Sequence, residues 1–317
     1  MSGHSPFLIP DIGEEDEHEM VARSILTRGG FGWTLSPYSG CSHACAYCYV
    51  RRRQHIIEDA QRRQAIENPE QATSIPKPWG AFVQAKVNAP ERLRREIRRI
   101  APGEGVLLAS ATDAYQPLEA KLGLTRQLLE ILLQWDVKVT ILTKSSLVVR
   151  DIDLFRQFRN LRVGFSLNTL NRRAWQCLEM DSSPPEERLE ALEILRQEQI
   201  STFVFMSPAM PFVTDFEELV PTLARRTRRV SAETLNLSQG NFQAMTESIH
   251  RLMPGREWEF WRAVTTRTWG NEWAKRLPDL CNRSHVRFGG LFRNECSQKK
   301  LRKMFPNEPS FGEPSQP

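Results

Sequence analysis

Short β-rich runs that alternate with helical patterns constrain this chain more than any other feature. The runs are Val106 to Ser110 (VLLAS), Val137 to Thr143 (VKVTILT), Leu161 to Asn168 (LRVGFSLN), Ile200 to Ser207 (ISTFVFMS) and Val230 to Ser238 (VSAETLNLS). Between the first two, Leu118 to Trp135 sets Leu122, Leu129, Leu132 and Leu133 on one helical face; Glu186 to Glu198 does the same with Leu189, Leu192 and Leu195. Strands separated by helices pair in parallel, because each crossover returns the chain to the same end of the sheet. Phe31 to Leu35 supplies a first strand, making six in 317 residues. That length suits two average domains or one α/β barrel, and the pattern alone does not separate a barrel from a doubly wound sheet.

Composition narrows the class. With 40% hydrophobic and 26% charged residues the chain is ordinary globular material. No apolar run approaches the roughly 18 residues of a membrane span, so no membrane association is expected. Residues 1–20 form an acidic N-terminal tail (Asp11, Glu14, Glu15, Asp16, Glu17, Glu19) without the apolar stretch of a secretory signal. Three of the six cysteines fall within eight residues, while Cys177, Cys281 and Cys296 are scattered as buried free thiols would be, unlike a disulfide scaffold. A cytoplasmic location is therefore expected. The net charge of +5 comes from 43 basic residues, of which 34 are Arg, and a guanidinium suits phosphates and carboxylates. An anionic partner is indicated, nucleic acid among the candidates.

Arg51 to Gln64 and Pro90 to Ile100 are Arg-dense and helix-compatible, and they make a large insertion after the first strand. In the second, Leu93, Ile97 and Ile100 form an apolar stripe; the arginines around it read as a solvated face or as a phosphate-binding surface. The expected division is a barrel over residues 21–240, a helical or irregular C-terminal extension over 241–305 that packs on or caps it, and a Pro-rich disordered tail over 306–317.

Chemistry concentrates in Ser36 to Arg53, SPYSGCSHACAYCYVRRR. Cys41, Cys45 and Cys48 leave one tight loop and can converge on one metal centre. Structural zinc needs four closed ligands, whereas an iron–sulfur cluster on three thiolates keeps an open position. His43 is a conceivable fourth zinc ligand, but it would have to fold into the same short loop.

The Cys-x3-Cys-x2-Cys loop, with Tyr47 before its last cysteine, resembles the radical S-adenosylmethionine (radical SAM) superfamily, and SPYSGCSHACAYCYVRR is similar to the branch related to spore photoproduct lyase. SATDAYQPLE (Ser110 to Glu119), LTRQLLEIL (Leu124 to Leu132), LTKSSLVVRDIDL (Leu142 to Leu154) and VGFSLNT (Val163 to Thr169) extend the likeness over Phe31 to Leu237. The resemblance implies a partial (β/α)6 barrel, a 4Fe-4S cluster on Cys41, Cys45 and Cys48, and SAM as cosubstrate. Reductive cleavage of SAM would give a 5′-deoxyadenosyl radical, with an electron donor such as flavodoxin or ferredoxin. It also implies roles at the strand ends. Thr112 and Asp113 would lie at the SAM amino group, Lys144 and Ser166 at its carboxylate, and Tyr47 beside its adenine. Read without the resemblance, Asp113 is a turn residue, Ser166 a core hydroxyl, Lys144 a solvated cation and Tyr47 loop packing.

Two features stand apart. The lyase branch repairs a thymine dimer with a cysteine just after strand two; here Ser110, Ala111, Thr112 and Asp113 occupy that stretch, so repair by that route is not expected. Arg256 to Trp273 holds four of the eight tryptophans, interleaved with Arg256, Arg262 and Arg267. It reads as an amphipathic helix closing the barrel, or as a base-stacking surface. From a different class, a nucleic-acid-binding module whose cysteines hold a structural metal would account for the same residues.

Overall fold

A computed structural model of the protein describes residues 17–29, 32–51, 79–237 and 239–293. In chain order the first strands and helix are β1 (Glu17–Met20), β2 (Leu26–Gly29), β3 (Gly32–Leu35), β4 (Tyr38–Gly40), β5 (Val83–Lys86) and α1 (Ala89–Glu96). There follow β6 (Gly105–Leu108), α2 (Leu118–Leu122), α3 (Leu124–Leu132), β7 (Lys138–Thr143), α4 (Ile152–Phe155), β8 (Leu161–Ser166), α5 (Arg172–Leu178) and α6 (Pro185–Gln197). The chain continues through β9 (Thr202–Ala209), α7 (Phe216–Ala224), β10 (Arg229–Thr234), α8 (Gln239–Leu252), α9 (Glu257–Thr266), α10 (Thr268–Arg283) and β11 (Arg287–Phe292).

All six expected strands form, as β3, β6, β7, β8, β9 and β10, and they are mutually parallel. Their order across the sheet is their order in sequence, with β11 added in parallel beyond β10 and β2 antiparallel outside β3. A doubly wound sheet reverses its strand order at a switch point. This one never does, so it is singly wound, and with no pairing of β11 to β2 among the described residues it is an open, partial barrel with α/β architecture. One face of each central strand is buried and the other half-buried, as the alternation of β7 and β9 shows, while Val163 to Ser166 of β8 are buried on both faces.

Local chemistry sets the helix ends. The α6 start has Pro185 in its first turn with Glu186 and Glu187, and Arg196 closes its last turn. Asn171 caps α5 by accepting from the Ala174 N–H at 3.0 Å, and Asp215 caps α7 by accepting from Glu218 at 3.2 Å. Between β3 and β6 the insertion carries β4, β5 and α1, and β4 and β5 join the N-terminal β1 in a second, three-stranded sheet of order β1, β5, β4. On α1, Leu93 is buried together with Ile97 and Ile100 beyond it, so the apolar stripe faces the core, while Arg94, Arg95, Arg98 and Arg99 are exposed on the opposite side.

Two expectations change. The single helix over Leu118 to Trp135 is two, α2 and α3, broken at Gly123, which sits at φ +61° and ends the first helix in the left-handed conformation. The C-terminal extension is helical but does more than cap: α10 packs on α7, and β11 lengthens the barrel sheet itself. Trp261 is buried and Trp258 exposed on α9, the amphipathic arrangement, while Trp269 and Trp273 lie against Phe216. Among the described residues Cys177 and Cys281 are free, and no helix is long and apolar enough to cross a membrane. The acidic tail up to Asp16, the helix expected beyond Arg51, Cys296 and the Pro-rich tail lie outside the described residues.

Candidate active site

The cysteine loop leaves β4 at Gly40, whose φ of +81° would bring any Cβ to 2.3 Å from the Phe82 carbonyl oxygen. Only glycine turns the chain there. Backbone contacts then hold the loop. The Ser42 N–H donates to Gln116 Oε1 at 3.1 Å, the Ala46 N–H to the Leu178 carbonyl at 2.9 Å, and Asn241 Nδ2 to the Tyr47 carbonyl at 3.0 Å. Arg51 clasps it from the far side, with Nε on the Cys45 carbonyl at 3.1 Å, Nη2 on Ala44 at 2.6 Å and Nη1 on Trp79 at 3.1 Å. Cys45 is buried; Cys41 and Cys48 are half-buried. Cys45, Ala46 and Tyr47 pack in one apolar cluster with Met210, Leu235, Phe260 and Trp261, so α9 and the ends of β9 and β10 form the loop's other wall.

The thiols sense one another. Burial pushes the Cys45 thiol up to about 12, with the Lys144 ammonium opposing and Glu179 and Cys48 adding. Burial, Asp113 and the other two cysteines hold Cys41 above the usual thiol range. A cationic centre facing these sulfurs would reverse that balance and draw off their protons. Between them, His43 is buried with Nδ1 3.5 Å from Asp113 Oδ2. Burial drives its pKa down to about 4, against the pull of the Asp113 carboxylate, so the imidazole is neutral.

The strand ends bring the other expected residues to the loop. Thr112 donates to the Gly40 carbonyl, which ties the segment after β6 to the start of the cysteine loop. Asp113 is turned inward. Its Oδ1 accepts from the Tyr115 N–H at 2.9 Å and the Thr143 hydroxyl at 2.6 Å, and its Oδ2 from the Lys144 N–H at 2.8 Å. It therefore clamps the end of β7 to the end of β6. The Lys144 ammonium lies 5.5 Å from the centre of the Tyr47 ring and has no salt bridge among the described residues. Burial alone would lower its pKa, but Cys45 and Glu179 outweigh that and hold it raised. Since Thr143 pairs with Phe165, the register sets Lys144 beside Ser166, which is buried and whose hydroxyl takes part in no hydrogen bond among the described residues.

A buried ion pair lies behind this group. Arg188 and Glu179 meet at 2.9 Å with side chains 0% and 1% exposed. Glu179 also accepts from the Tyr47 hydroxyl, and burial together with that carboxylate holds the phenol well above its usual pKa. Arg188 donates to the carbonyls of Ser183 at 2.6 Å and Ser166 at 2.8 Å and to the Ser182 hydroxyl at 2.5 Å. The pair thus joins Tyr47 on the loop to Ser166 on β8. Sequence reasoning missed both residues, although Arg188 shares its helix face with the buried Ala191, Leu192 and Leu195, a place where a charge needs a partner.

Comparison with known proteins agrees with this geometry. An uncharacterised protein of Methanocaldococcus jannaschii, MJ0683, is 30% identical over 208 residues, 66% of this chain and 72% of that one. A radical SAM Nalpha-GlyT isomerase of Pseudomonas phage M6 is 22% identical over 184 residues, 58% of this chain but 34% of that one. Among solved structures, spore photoproduct lyase complexed with dinucleoside spore photoproduct has the same fold, with a TM-score of 0.59 at 16% identity, over 87% of this chain and 81% of that one. Residues 35–226 match the model of the radical SAM superfamily. This span takes in the cysteine loop and four of the six barrel strands entire, β6 to β9, begins at the last residue of β3 and ends just before β10, and it removes the binding-module alternative: the chain belongs to the radical SAM superfamily and is an enzyme of that class.

Proposed function

We propose that the protein cleaves SAM reductively at a 4Fe-4S cluster held by Cys41, Cys45 and Cys48, and that the radical so released abstracts a hydrogen atom from a phosphate-bearing substrate. The donor set suits a cluster: it consists of three thiols on one loop, Cys45 buried and Cys41 and Cys48 half-buried, and thiolates are the ligands of iron–sulfur clusters. When bound, the cluster supplies one electron to SAM chelated at its open iron, giving methionine and a 5′-deoxyadenosyl radical.

The observation that carries this reading is Lys144. An ammonium held raised in pKa, stacked on Tyr47 and free of any salt bridge among the described residues, is a fixed cation awaiting an anion. A buried hydroxyl with no hydrogen bond among the described residues, Ser166, stands beside it, and together they would orient the SAM carboxylate. Tyr47, locked through its hydroxyl by Glu179, would offer its ring to the adenine. Asp113 and Thr112 act as positioning residues, since their side chains already hold the loop and the end of β7. The C-terminal helices pack over the loop and exclude water from the reacting atoms.

The arginine excess supports an anionic substrate, and the absence of cysteine from Ser110 to Asp113 supports chemistry other than dimer repair. A protein donor such as flavodoxin or ferredoxin would bring the electron. The test is formation of 5′-deoxyadenosine by anaerobically reconstituted protein given SAM and dithionite. Formation by the wild type that vanishes in Cys45→Ala upholds the reading. No formation from protein carrying zinc in place of iron overturns it.

A further inference from the structure

A cavity of about 290 Å³ opens at the C-terminal ends of β9 and β10, beside the groups described above and distinct from them. Ala209 ends β9 and Thr234 ends β10 on one side of it, and the corner between α9 and α10 forms the other. Parallel α/β sheets take their ligands off this end of the strands. Leu235 and Val264 line the cavity and also pack in the cluster that holds Cys45 and Tyr47, so the two spaces share a wall.

The lining carries two cations, Arg267 and Arg293, and no acidic side chain. Arg293 is steadied by Asn271, whose Oδ1 accepts from Nη1 at 3.0 Å. Arg267 has no ion pair among the described residues and stands at φ +59°, ψ 1°, as the residue between the two helices. That left-handed conformation favours glycine, so a side chain is kept there against the local backbone preference. The 16-residue α10 begins at this corner with no side chain capping it, and its first-turn residues Trp269 and Gly270 line the cavity. Unbonded N–H groups and the positive end of the helix dipole therefore add to the two guanidiniums.

We infer that this cavity is a subsite that anchors a phosphate ester of the substrate, the phosphate belonging to a small sugar phosphate or nucleotide, or to a nucleic-acid strand. The inference rests on the reading of the adjoining site as the active site. Two guanidiniums, exposed at the rim of the cavity, and a helix N-terminus supply charge and donors of the kind a phosphate takes, and the apolar wall of Leu235 and Val264 leads from it toward the cysteine loop.

The test is calorimetric titration of the reconstituted full-length protein, without SAM, with ribose 5-phosphate, with ribose and with a single-stranded oligonucleotide. Ribose 5-phosphate is expected to bind and ribose not to. Arg267→Gln and Arg293→Gln should each weaken binding about 10- to 100-fold, the loss expected for a charge-assisted hydrogen bond. Arg267→Gly should weaken it as much while its Tm holds or rises, because glycine suits the left-handed position. An oligonucleotide that binds far tighter, with the same arginine dependence, makes a strand the source of the phosphate; equal or weaker binding makes it the small ester. Equal binding of ribose and ribose 5-phosphate, variants within about twofold of wild type, or a fall of Tm that accompanies the loss in Arg267→Gly would overturn the subsite. The readout uses no SAM, so failure of 5′-deoxyadenosine formation with phosphate binding intact overturns the functional reading alone, and the converse overturns the subsite alone.

Discussion

Removing one half of the buried pair Arg188–Glu179 should cost far more stability than removing both. In Glu179→Met the guanidinium stays fully buried and keeps Ser183, Ser166 and Ser182 as acceptors but loses its only opposite charge. In Arg188→Met the carboxylate stays buried with the Tyr47 hydroxyl as its remaining side-chain donor. Breaking a buried pair from either side costs about 3–5 kcal/mol, because a charge is left uncompensated away from water. The double variant buries no charge and places two flexible apolar side chains in the vacated volume, so its loss should lie well below the roughly 6–10 kcal/mol sum of the singles. Urea denaturation followed by tryptophan fluorescence reads all three, and thermal scans should show each single variant roughly 5–15 °C below wild type. Singles within about 1 kcal/mol of wild type, or a double variant equal to the sum, would refute the claim that the two charges exist for each other. Glu179→Gln, which keeps shape and an acceptor, should lose less stability than Glu179→Met while still loosening Tyr47, seen as weaker SAM binding.

Gly40→Ala should cut iron and sulfide uptake on anaerobic reconstitution severalfold, since the added Cβ would sit 2.3 Å from the Phe82 carbonyl oxygen and must shift the strand that launches the loop; uptake equal to wild type would contradict the turn requirement. Lys144→Gln should raise the Kd for SAM about 10- to 100-fold in equilibrium dialysis with labelled SAM, the worth of one charge-assisted contact; an unchanged Kd would send the carboxylate elsewhere. Burial pushes the Cys281 thiol up to about 11, against about 9 in the unfolded chain. The folded state therefore holds a proton that the unfolded state loses between these values, so its stabilisation is complete below pH 9 and is lost as pH rises through 11, by at most about 3 kcal/mol. Cys281→Val should lack that component, and the stability gap between variant and wild type measured from pH 8.5 to 11 should move in the variant's favour; parallel curves would refute it.

The parallel sheet was legible in the sequence because short β-rich runs such as VKVTILT and ISTFVFMS alternate with helical stretches, and each crossover returns the chain to the same end of the sheet. The winding was not, since helix placement depends on crossover geometry that no local pattern records. Gly123 stood inside a leucine-periodic stretch whose period ran on across it, which hid the break between α2 and α3. RFGGLF, with Arg287 first and two glycines at its centre, lacks the alternation of a strand and becomes β11 only by pairing with β10. Cys41, Cys45 and Cys48 were legible from spacing. Glu179 and Arg188 were not: EERLE, with Arg188 at its centre, looks like a solvated helix face, and only the fold reveals that Arg188 points inward at Glu179, which in turn holds the Tyr47 hydroxyl. Asp113 was expected at the SAM amino group, and only the fold shows that its side chain is committed inward to the end of β7.

The clasp that Arg51, Gln116 and Asn241 make on the cysteine loop bears on the order in which this enzyme is assembled. Each of those bonds ends on a main-chain group, and none passes through sulfur. The loop's conformational freedom is therefore surrendered when the polypeptide folds. On the proposed reading, inorganic iron and sulfide would enter a receptacle already held by the fold, and maturation would follow folding as a separate, later event. Replacing a cysteine should then empty the receptacle without unmaking it, so a protein that fails to mature would still accumulate in its native shape.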